Sequence, residues 1–166
     1  GRLDAGHPSV SWADALDWLG TVRAGAPIAE IQFWGHGRWG EVRIGGEVLD
    51  SSALDASHPL FPLLHRIRAR LVPGQDALWW FRTCDTFGTA KGQDFARAWT
   101  RFFGCRAAGH THRIGVWQSG LHTLLPGAEP AWSTSEGLTP SGTPAPSRAG
   151  LPNTVSFLQG RIPGDL

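Results

Sequence analysis

The sequence predicts one α/β domain in which a mostly parallel sheet is covered by helices on both faces. Two short apolar segments without internal Gly or Pro, 28–34 and 77–81, have the composition of buried parallel strands. Segments with apolar residues at helical spacing lie before, between and after them. This alternation is typical of parallel sheets, because parallel neighbours need a crossover connection. A chain of 166 residues with 41% hydrophobic residues provides one core of this kind.

The first half of the chain is predicted to contain a helix, a strand and a hairpin. The helical segment SWADALDWLGTVR begins with Ser11, whose side chain suits a helix N-cap. Segment Ile28–Trp34 is the first buried strand, and it ends abruptly at Gly35-His36-Gly37. Segment EVRIGGEVLD joins two β-rich runs through Gly45-Gly46, which predicts a hairpin.

The second half repeats the alternation of helix and strand. A second helix is expected over Leu60–Leu71, followed by a buried strand over Ala77–Phe81 that leads into Cys84. A third helix is expected over Gln93–Phe103, where Gly104 suits the left-handed residue that ends a helix. A third strand over Cys105–Gly109 follows it. This order completes the predicted parallel sheet.

The composition changes after Trp132, so residues 1–132 are predicted to form the domain proper. Residues 133–152 are rich in Pro, Gly, Ser and Thr and are interpreted as a linker or a long surface loop. The tail, residues 153–166, contains the apolar run VSFLQ, which favours an edge strand or docking on the domain.

Composition also argues against several classes of function. The formal net charge is +1 and the Lys and Arg residues are scattered, unlike the basic surface of a nucleic-acid-binding protein. No stretch of about 18 apolar residues and no signal-peptide pattern is present, so neither membrane insertion nor export is expected. Two cysteines favour a reduced, cytoplasmic setting, although a single Cys84–Cys105 disulfide stays open. The absence of Met favours a processed form or a fragment, with further domains of a larger chain as partners.

His36 and Cys84 each follow a predicted buried strand, and they are the candidate catalytic dyad. In open parallel sheets functional groups collect at the carboxyl ends of the strands. A cysteine nucleophile needs a nearby imidazole, because the thiolate is the reactive form and an ordinary thiol is mostly protonated near neutral pH. Gly37 suits a tight turn, and its N–H together with that of Cys84 would supply two donors for a tetrahedral intermediate.

The order of elements resembles that of the caspase-like cysteine peptidases, especially the bacterial caspase-like domains of uncharacterised function. This order is a strand followed by His-Gly, a hairpin, a helix, a strand followed by Cys, a helix and a strand. The segments FWGHG and FRTCDTFG carry the resemblance, which extends over roughly Ile28 to Gly120. It implies a caspase-like three-layer sandwich and an endopeptidase that cleaves proteins or itself without a metal or organic cofactor. Within it, His36 is the general base or acid, Cys84 the nucleophile and Gly37 part of the oxyanion hole.

Two features depart from that family. No strand is evident before the first helix, and Asp85-Thr86-Phe87-Gly88 follows the cysteine in place of a short polar-Gly turn. Asp85 is interpreted either as a third member of a catalytic triad that orients His36 or as part of the substrate pocket. A carboxylate beside a thiolate raises the pKa of the thiol, so Asp85 is expected to point away or to be neutralised, with Arg82 as the candidate cation.

Arg82 is the candidate specificity residue. It lies two positions before Cys84 on the same strand face, where relatives of the family line the pocket for the substrate residue that precedes the scissile bond. A guanidinium at this place would favour an acidic substrate residue. The alternative is a simple ion pair between Arg82 and Asp85.

His110 and His112 are expected to border the same cleft and to contribute to substrate binding. The motif Gly109-His110-Thr111-His112 also resembles the last motif of calcineurin-like metallophosphatases, in which histidines ligate metal. The other motifs of that family, Asp-x-His and Asn-His-Asp/Glu, are not present, so no metal site is predicted. Cys105 is interpreted as a buried structural residue.

A second function remains open beside the peptidase. Caspase-like domains also occur as catalytically silent interaction or sensor domains of larger proteins, and nothing in the motif itself separates the two.

Overall fold

The computed structural model describes residues 4–163 and 166, which contain three α-helices and nine β-strands. The helices are α1 (Trp12–Thr21), α2 (Phe61–Arg68) and α3 (Thr89–Phe103). The strands are β1 (Glu30–Trp34), β2 (His36–Arg38), β3 (Glu41–Ile44), β4 (Glu47–Asp50), β5 (Leu78–Arg82), β6 (Arg106–His110), β7 (Trp117–Gln118), β8 (Leu121–Leu124) and β9 (Val155–Ser156).

Four strands form the central sheet in the order β1-β5-β6-β8. The first three are parallel neighbours, and β8 runs antiparallel to β6. This mixed, mostly parallel sheet confirms the α/β fold class that the alternation of elements predicted. The remaining strands form a three-stranded sheet, β2-β3-β4, and a two-stranded sheet, β7-β9.

Local signals explain most element boundaries. The Ser11 hydroxyl accepts a hydrogen bond from the Asp14 N–H at 3.1 Å and begins α1. Gly104, with a φ of +64°, ends α3. The start of α3 was predicted four residues too late, because Gly92 in its first turns resembles a loop residue. A Cβ at Gly92 would lie 2.5 Å from the Phe87 carbonyl carbon, so this glycine allows the helix to approach the preceding turn.

All three helices pack on one face of the central sheet, which corrects the prediction of helices on both faces. Trp79 of β5 contacts the rings of Trp99 and Phe103 in α3, and Phe81 contacts Phe95 and Trp99. The buried residues of α1 and α2 belong to the same core; they are Trp12, Ala15, Leu16, Leu64 and Ile67.

The opposite face is covered by the C-terminal segment. Trp80 and Leu78 of β5 pack in a smaller cluster with Ala108, Leu121 and Val155, and Ile162 and Leu166 lie against it. Strand β9 pairs with β7, so that Val155 lies opposite Gln118. The tail therefore replaces the helical layer that the sequence analysis expected on this face, since its few apolar residues are enough to cover one short strand pair.

Residues 133–152, interpreted from sequence as a linker or a surface loop, follow the surface of the domain and bond to it. The Arg113 N–H donates to the Ala145 carbonyl, and the Ser147 N–H donates to the Arg113 carbonyl, both at 2.9 Å. The Ser147 hydroxyl accepts a bond from the Ser119 N–H at 3.0 Å. This segment is an irregular surface excursion that is held by backbone hydrogen bonds.

No helix among the described residues combines the length and the apolar character that a membrane crossing requires.

Candidate active site

The central sheet brings the segments of His36 and Cys84 to the same edge. Strands β1 and β5 are parallel neighbours, with Trp34 opposite Arg82. His36 and Cys84 each lie two residues beyond this pair. The register thus places the two residues just beyond the carboxyl ends of neighbouring strands.

Gly37 lies where β2 packs against the turn that contains Cys84. A Cβ at position 37 would lie 2.8 Å from Thr83 Oγ1 and closer still to Thr86 Oγ1, so this approach requires glycine. The two threonine hydroxyls are hydrogen-bonded to each other at 2.5 Å. The Gly40 N–H also donates to the Thr86 carbonyl at 2.8 Å. Backbone packing therefore fixes the His36 segment against the Cys84 segment.

Cys84 is half-buried and carries a protonated thiol. Its Sγ lies 3.8 Å from the Ile114 carbonyl oxygen, to which the thiol donates. Burial is the main cause that raises the pKa of Cys84, and the Asp85 carboxylate raises it further, while Arg113 opposes the shift only in part. The thiolate is therefore not the resting form near neutral pH.

The two cysteines are free thiols, so the disulfide that the sequence left open does not form. Cys105 is buried, and burial raises its pKa to about 12. This inert environment agrees with the structural role expected for Cys105.

His36 is exposed at the start of β2, where it lies opposite Arg43. No hydrogen bond joins His36 to Cys84 in the part of the chain that the structure describes, so the dyad is not closed in this state. Catalytic hydrogen bonds are often long or absent before substrate binds, and a surface imidazole is free to change its rotamer.

Asp85 is buried next to the cysteine and has a left-handed backbone with φ of +41°, a conformation that Asp tolerates better than most residues. Its N–H donates to the His112 carbonyl at 2.9 Å. Burial raises the pKa of Asp85 to about 6 against the opposing charges of Arg38 and Arg113. These two arginines, and not Arg82, are thus the cations that face Asp85.

Arg82 does not present its guanidinium to an open pocket, which corrects the assignment of Arg82 to substrate recognition. The side chain is 2% exposed and lies between the rings of Trp34 and Trp80, with Cζ 3.8 Å and 4.3 Å from their centroids. It donates to Gln118 Oε1 at 2.8 Å and to backbone carbonyls of the tail. These carbonyls belong to Gln159 at 2.6 Å, Phe157 at 3.0 Å and Ser156 at 3.3 Å.

The occupied guanidinium also excludes the alternative ion pair with Asp85. Burial lowers the pKa of Arg82 to about 10, so the group stays charged near neutral pH. Its charge holds the tail on the sheet through carbonyl dipoles, because no carboxylate among the described residues pairs with it.

His110 does not border a cleft, contrary to the prediction. It is completely buried, its Nδ1–H donates to the Ser119 carbonyl at 3.3 Å, and burial lowers its pKa to about 3. The imidazole is therefore neutral, and its Nε2 has no hydrogen-bond partner among the described residues.

His112 is nearly buried and belongs to a polar network that the sequence analysis did not find. Its Nδ1 donates to Thr111 Oγ1 at 3.0 Å, and this hydroxyl donates to Glu136 Oε1 at 2.8 Å. His122 Nε2 donates to the same carboxylate oxygen at 2.7 Å. Burial lowers the pKa of His112, whereas bonds from His122 and Thr111 hold the pKa of Glu136 below its ordinary value in spite of burial. The network ties the 133–152 excursion to β8 and to the end of β6.

Sequence gave little signal for these additional residues. His122 has no motif neighbour, and Glu136 lies in the segment interpreted as a linker. Arg38 and Arg113 follow His36 and His112 within two residues, but single scattered arginines carry no pattern.

Within residues 4–163 and 166, no group of three or more His, Cys, Asp or Glu side chains is placed to hold a metal ion. Two surface depressions, of about 530 and 400 Å³, lie elsewhere. One lies between the 3-10 turn Ser51–Leu54 and α3, and the other lies beside Arg106 and Ile162. Neither is lined by His36 or Cys84.

No family model, no curated protein and no solved structure matches this chain.

Proposed function

We propose that the protein is a cysteine endopeptidase of the caspase-like type, which cleaves a protein substrate or itself with Cys84 as the nucleophile and His36 as the general base. The observation that carries this proposal is the shared sheet edge, where both residues follow the Trp34–Arg82 pair of two parallel neighbours. The unpaired thiols fit a reducing, cytoplasmic setting.

The raised pKa of Cys84 favours one of two ways of activating a thiol. A preformed thiolate–imidazolium pair needs a lowered pKa, so it does not fit this environment. General-base catalysis fits, because the proton then leaves the thiol only as the Cys84 Sγ attacks the carbonyl carbon. His36 accepts that proton and donates it to the leaving amine. Water then hydrolyses the thioester, which releases the acid and restores the thiol.

Two backbone amides are available for the oxyanion. The Cys84 N–H makes no turn or loop hydrogen bond, and the Gly37 N–H makes none outside its own hairpin, among the described residues. The two-residue turn Trp39-Gly40 closes on the pair Arg38–Glu41, so Gly37 and Val42 form the next, non-hydrogen-bonded pair of the hairpin. The Gly37 N–H therefore points away from β3, to the outer edge of the hairpin.

A catalytically silent interaction domain is the second candidate. The observation that favours it is the open dyad, in which the Cys84 thiol donates to a backbone carbonyl and no bond joins it to His36 among the described residues. Under this alternative the packed turn around Cys84 would serve binding alone.

A peptide acyloxymethyl ketone separates the two candidates. We expect the reagent to alkylate Cys84 in the wild type, and mass spectrometry of the digested protein identifies the modified residue. Cys84→Ala is expected to abolish labelling, and His36→Ala to slow it by about 100-fold, the lower range of general-base effects. Cys105→Ala is the matched control, since its buried thiol is not expected to react.

If Cys84 reacts no faster than a free cysteine peptide of the same concentration, the peptidase proposal is wrong and the silent domain is the better account.

A further inference from the structure

Most of the exposed large hydrophobic side chains lie in one region of the molecule. The described residues contain seven such side chains, and five of them either contact Arg82 or lie within two residues of a residue that does. We name these five the apolar platform: Trp34, Val116, Trp117, Phe157 and Leu158. Their exposed fractions are between 44% and 79%. Clustered exposed apolar side chains mark a binding site more often than isolated ones do.

Contacts join the platform residues to one another. The Phe157 N–H donates to the Val116 carbonyl at 3.0 Å, and Trp117 lies opposite Ser156 in the β7–β9 pair. Arg82 links the other side, because its guanidinium stacks on Trp34 at 3.8 Å and donates to the Phe157 carbonyl at 3.0 Å. The three chain segments are therefore held together, and the platform is a built feature of the fold.

The platform is continuous with the candidate active site. Cys84 donates to the Ile114 carbonyl, and Val116 lies two residues further along the chain. On the other side, Trp34 precedes His36 by two residues. His36 and Ile114, the hydrogen-bond partner of Cys84, thus each lie two residues from a platform residue.

We propose that the apolar platform binds bulky apolar side chains of a peptide substrate next to its scissile bond. This inference rests on the proposed peptidase function and names the substrate class of that site. It replaces acidic recognition by Arg82, whose donors are occupied by Gln118 and by carbonyls of the tail. The occupant is a peptide and not a lipid surface or a second copy, because the platform lies beside the one thiol that is partly accessible.

The test compares two peptide acyloxymethyl ketones of equal length, one with Leu and Phe side chains and one with Ser and Asn. We expect the apolar reagent to label Cys84 at least tenfold faster, since one large apolar side chain is worth about this factor when it is buried. Leu158→Ser and Val116→Ser are expected to remove most of this preference. Val10→Ser is the matched control, because Val10 is 86% exposed and lies outside the platform.

Each outcome separates this inference from the proposed function. Equal labelling of Cys84 by both reagents overturns the platform and leaves the peptidase. If neither reagent labels Cys84, the peptidase proposal fails, and fluorescence anisotropy of the warhead-free apolar peptide with Cys84→Ala protein then tests the platform alone. Binding that Leu158→Ser abolishes supports it, and no binding overturns it. A dimer in sedimentation velocity that Leu158→Ser dissociates also overturns it, because the occupant is then a second copy.

Discussion

The two sides of β5 differ more than any other neighbouring regions of the molecule. Trp79 and Phe81 point into an aromatic core with the three helices, whereas Trp80 and Arg82 point to buried polar groups and the C-terminal tail. The helix-covered side depends on apolar burial, which tolerates other apolar side chains of similar volume. The tail-covered side depends on hydrogen bonds of one guanidinium, which few other side chains can replace. The candidate site and the platform both border this second side.

The largest contrast is expected between two adjacent tryptophans that are equally buried. We expect Trp79→Ala to lower the free energy of unfolding by about 3–5 kcal/mol, because it leaves a cavity among Phe81, Trp99 and Phe103. Trp80→Ala is expected to cost less global stability, since its partners include a tail that can detach locally. Urea unfolding followed by circular dichroism measures both.

Limited proteolysis completes this comparison. In Trp80→Ala we expect a protease to cleave selectively in the tail, after residue 152. Under the same conditions Trp79→Ala should show no such selectivity, and should be either cut throughout the chain or left intact. Equal losses of stability with no selective cleavage of the tail would show that the two sides of β5 are equivalent.

Arg82→Lys is expected to release the tail. Lysine keeps the charge but offers no planar fork, so Gln118 and at least one tail carbonyl lose their donor at a cost of about 2–3 kcal/mol. Faster amide hydrogen exchange over residues 155–160 measures the effect. Arg66→Lys is the control, since its exposed ion pair with Asp17 is worth less than about 1 kcal/mol. Unchanged exchange in Arg82→Lys would show that the Arg82 guanidinium does not hold the tail on the sheet.

A glycine pair tests the edge where the candidate site lies. Gly37→Ala should lower the free energy of unfolding by about 1–3 kcal/mol and slow the labelling of Cys84, because the new methyl group would clash with Thr83 and Thr86. In Gly46→Ala a Cβ meets no atom within 4 Å, so this variant should behave like the wild type. Thermal melts and labelling rates of the two variants supply the comparison. A Gly37→Ala protein that matches Gly46→Ala would refute close packing of the two segments.

The smallest effect is a pH dependence from Asp85. Its pKa is raised from 3.8 to about 6 by burial, so its contribution to stability is fully present below pH 3.8 and is lost as the pH rises through about 6. We expect Asp85→Asn to remove this loss and to raise the free energy of unfolding by about 1 kcal/mol at pH 8. Asn is the suitable replacement because it also tolerates a left-handed backbone. Urea midpoints between pH 4 and pH 8 test this.

Glu136 provides the internal contrast for that titration. Its pKa is lowered, so its contribution is present above its ordinary pKa and is lost as the pH falls. Glu136→Gln should therefore flatten the acid side of the stability profile. If Asp85→Asn and Glu136→Gln changed the same side of the profile, the assignment of Asp85 would be wrong.

The sequence predicted the helix-covered half of the molecule well, because helical spacing and buried apolar runs reflect the same contacts that fold it. Ser11, Gly45-Gly46 and Gly104 marked boundaries that the structure confirms. The tail-covered half gave no such pattern. The partners of Arg82 are mostly backbone carbonyls, which are present at every residue and so leave no trace in the sequence.

The candidate site, too, was predictable from the sequence only in part. The neighbouring strand ends of His36 and Cys84 follow from element order, and the register confirms them. The roles expected for Arg82 and His110 failed because burial depends on what covers a strand face. A covering segment that lies 75 residues away from Arg82 along the chain, as Phe157 does, is not apparent from local pattern.

The most direct test of the account is the pH dependence of Cys84 labelling by the apolar peptide acyloxymethyl ketone in the wild type and in His36→Ala. If His36 is the general base for a thiol whose pKa is raised, the wild type should react at least tenfold faster at pH 7. The two proteins should converge at high pH, where the thiol of Cys84 ionises unaided. Equal rates at pH 7 would contradict the dyad and would leave the chain as a binding domain.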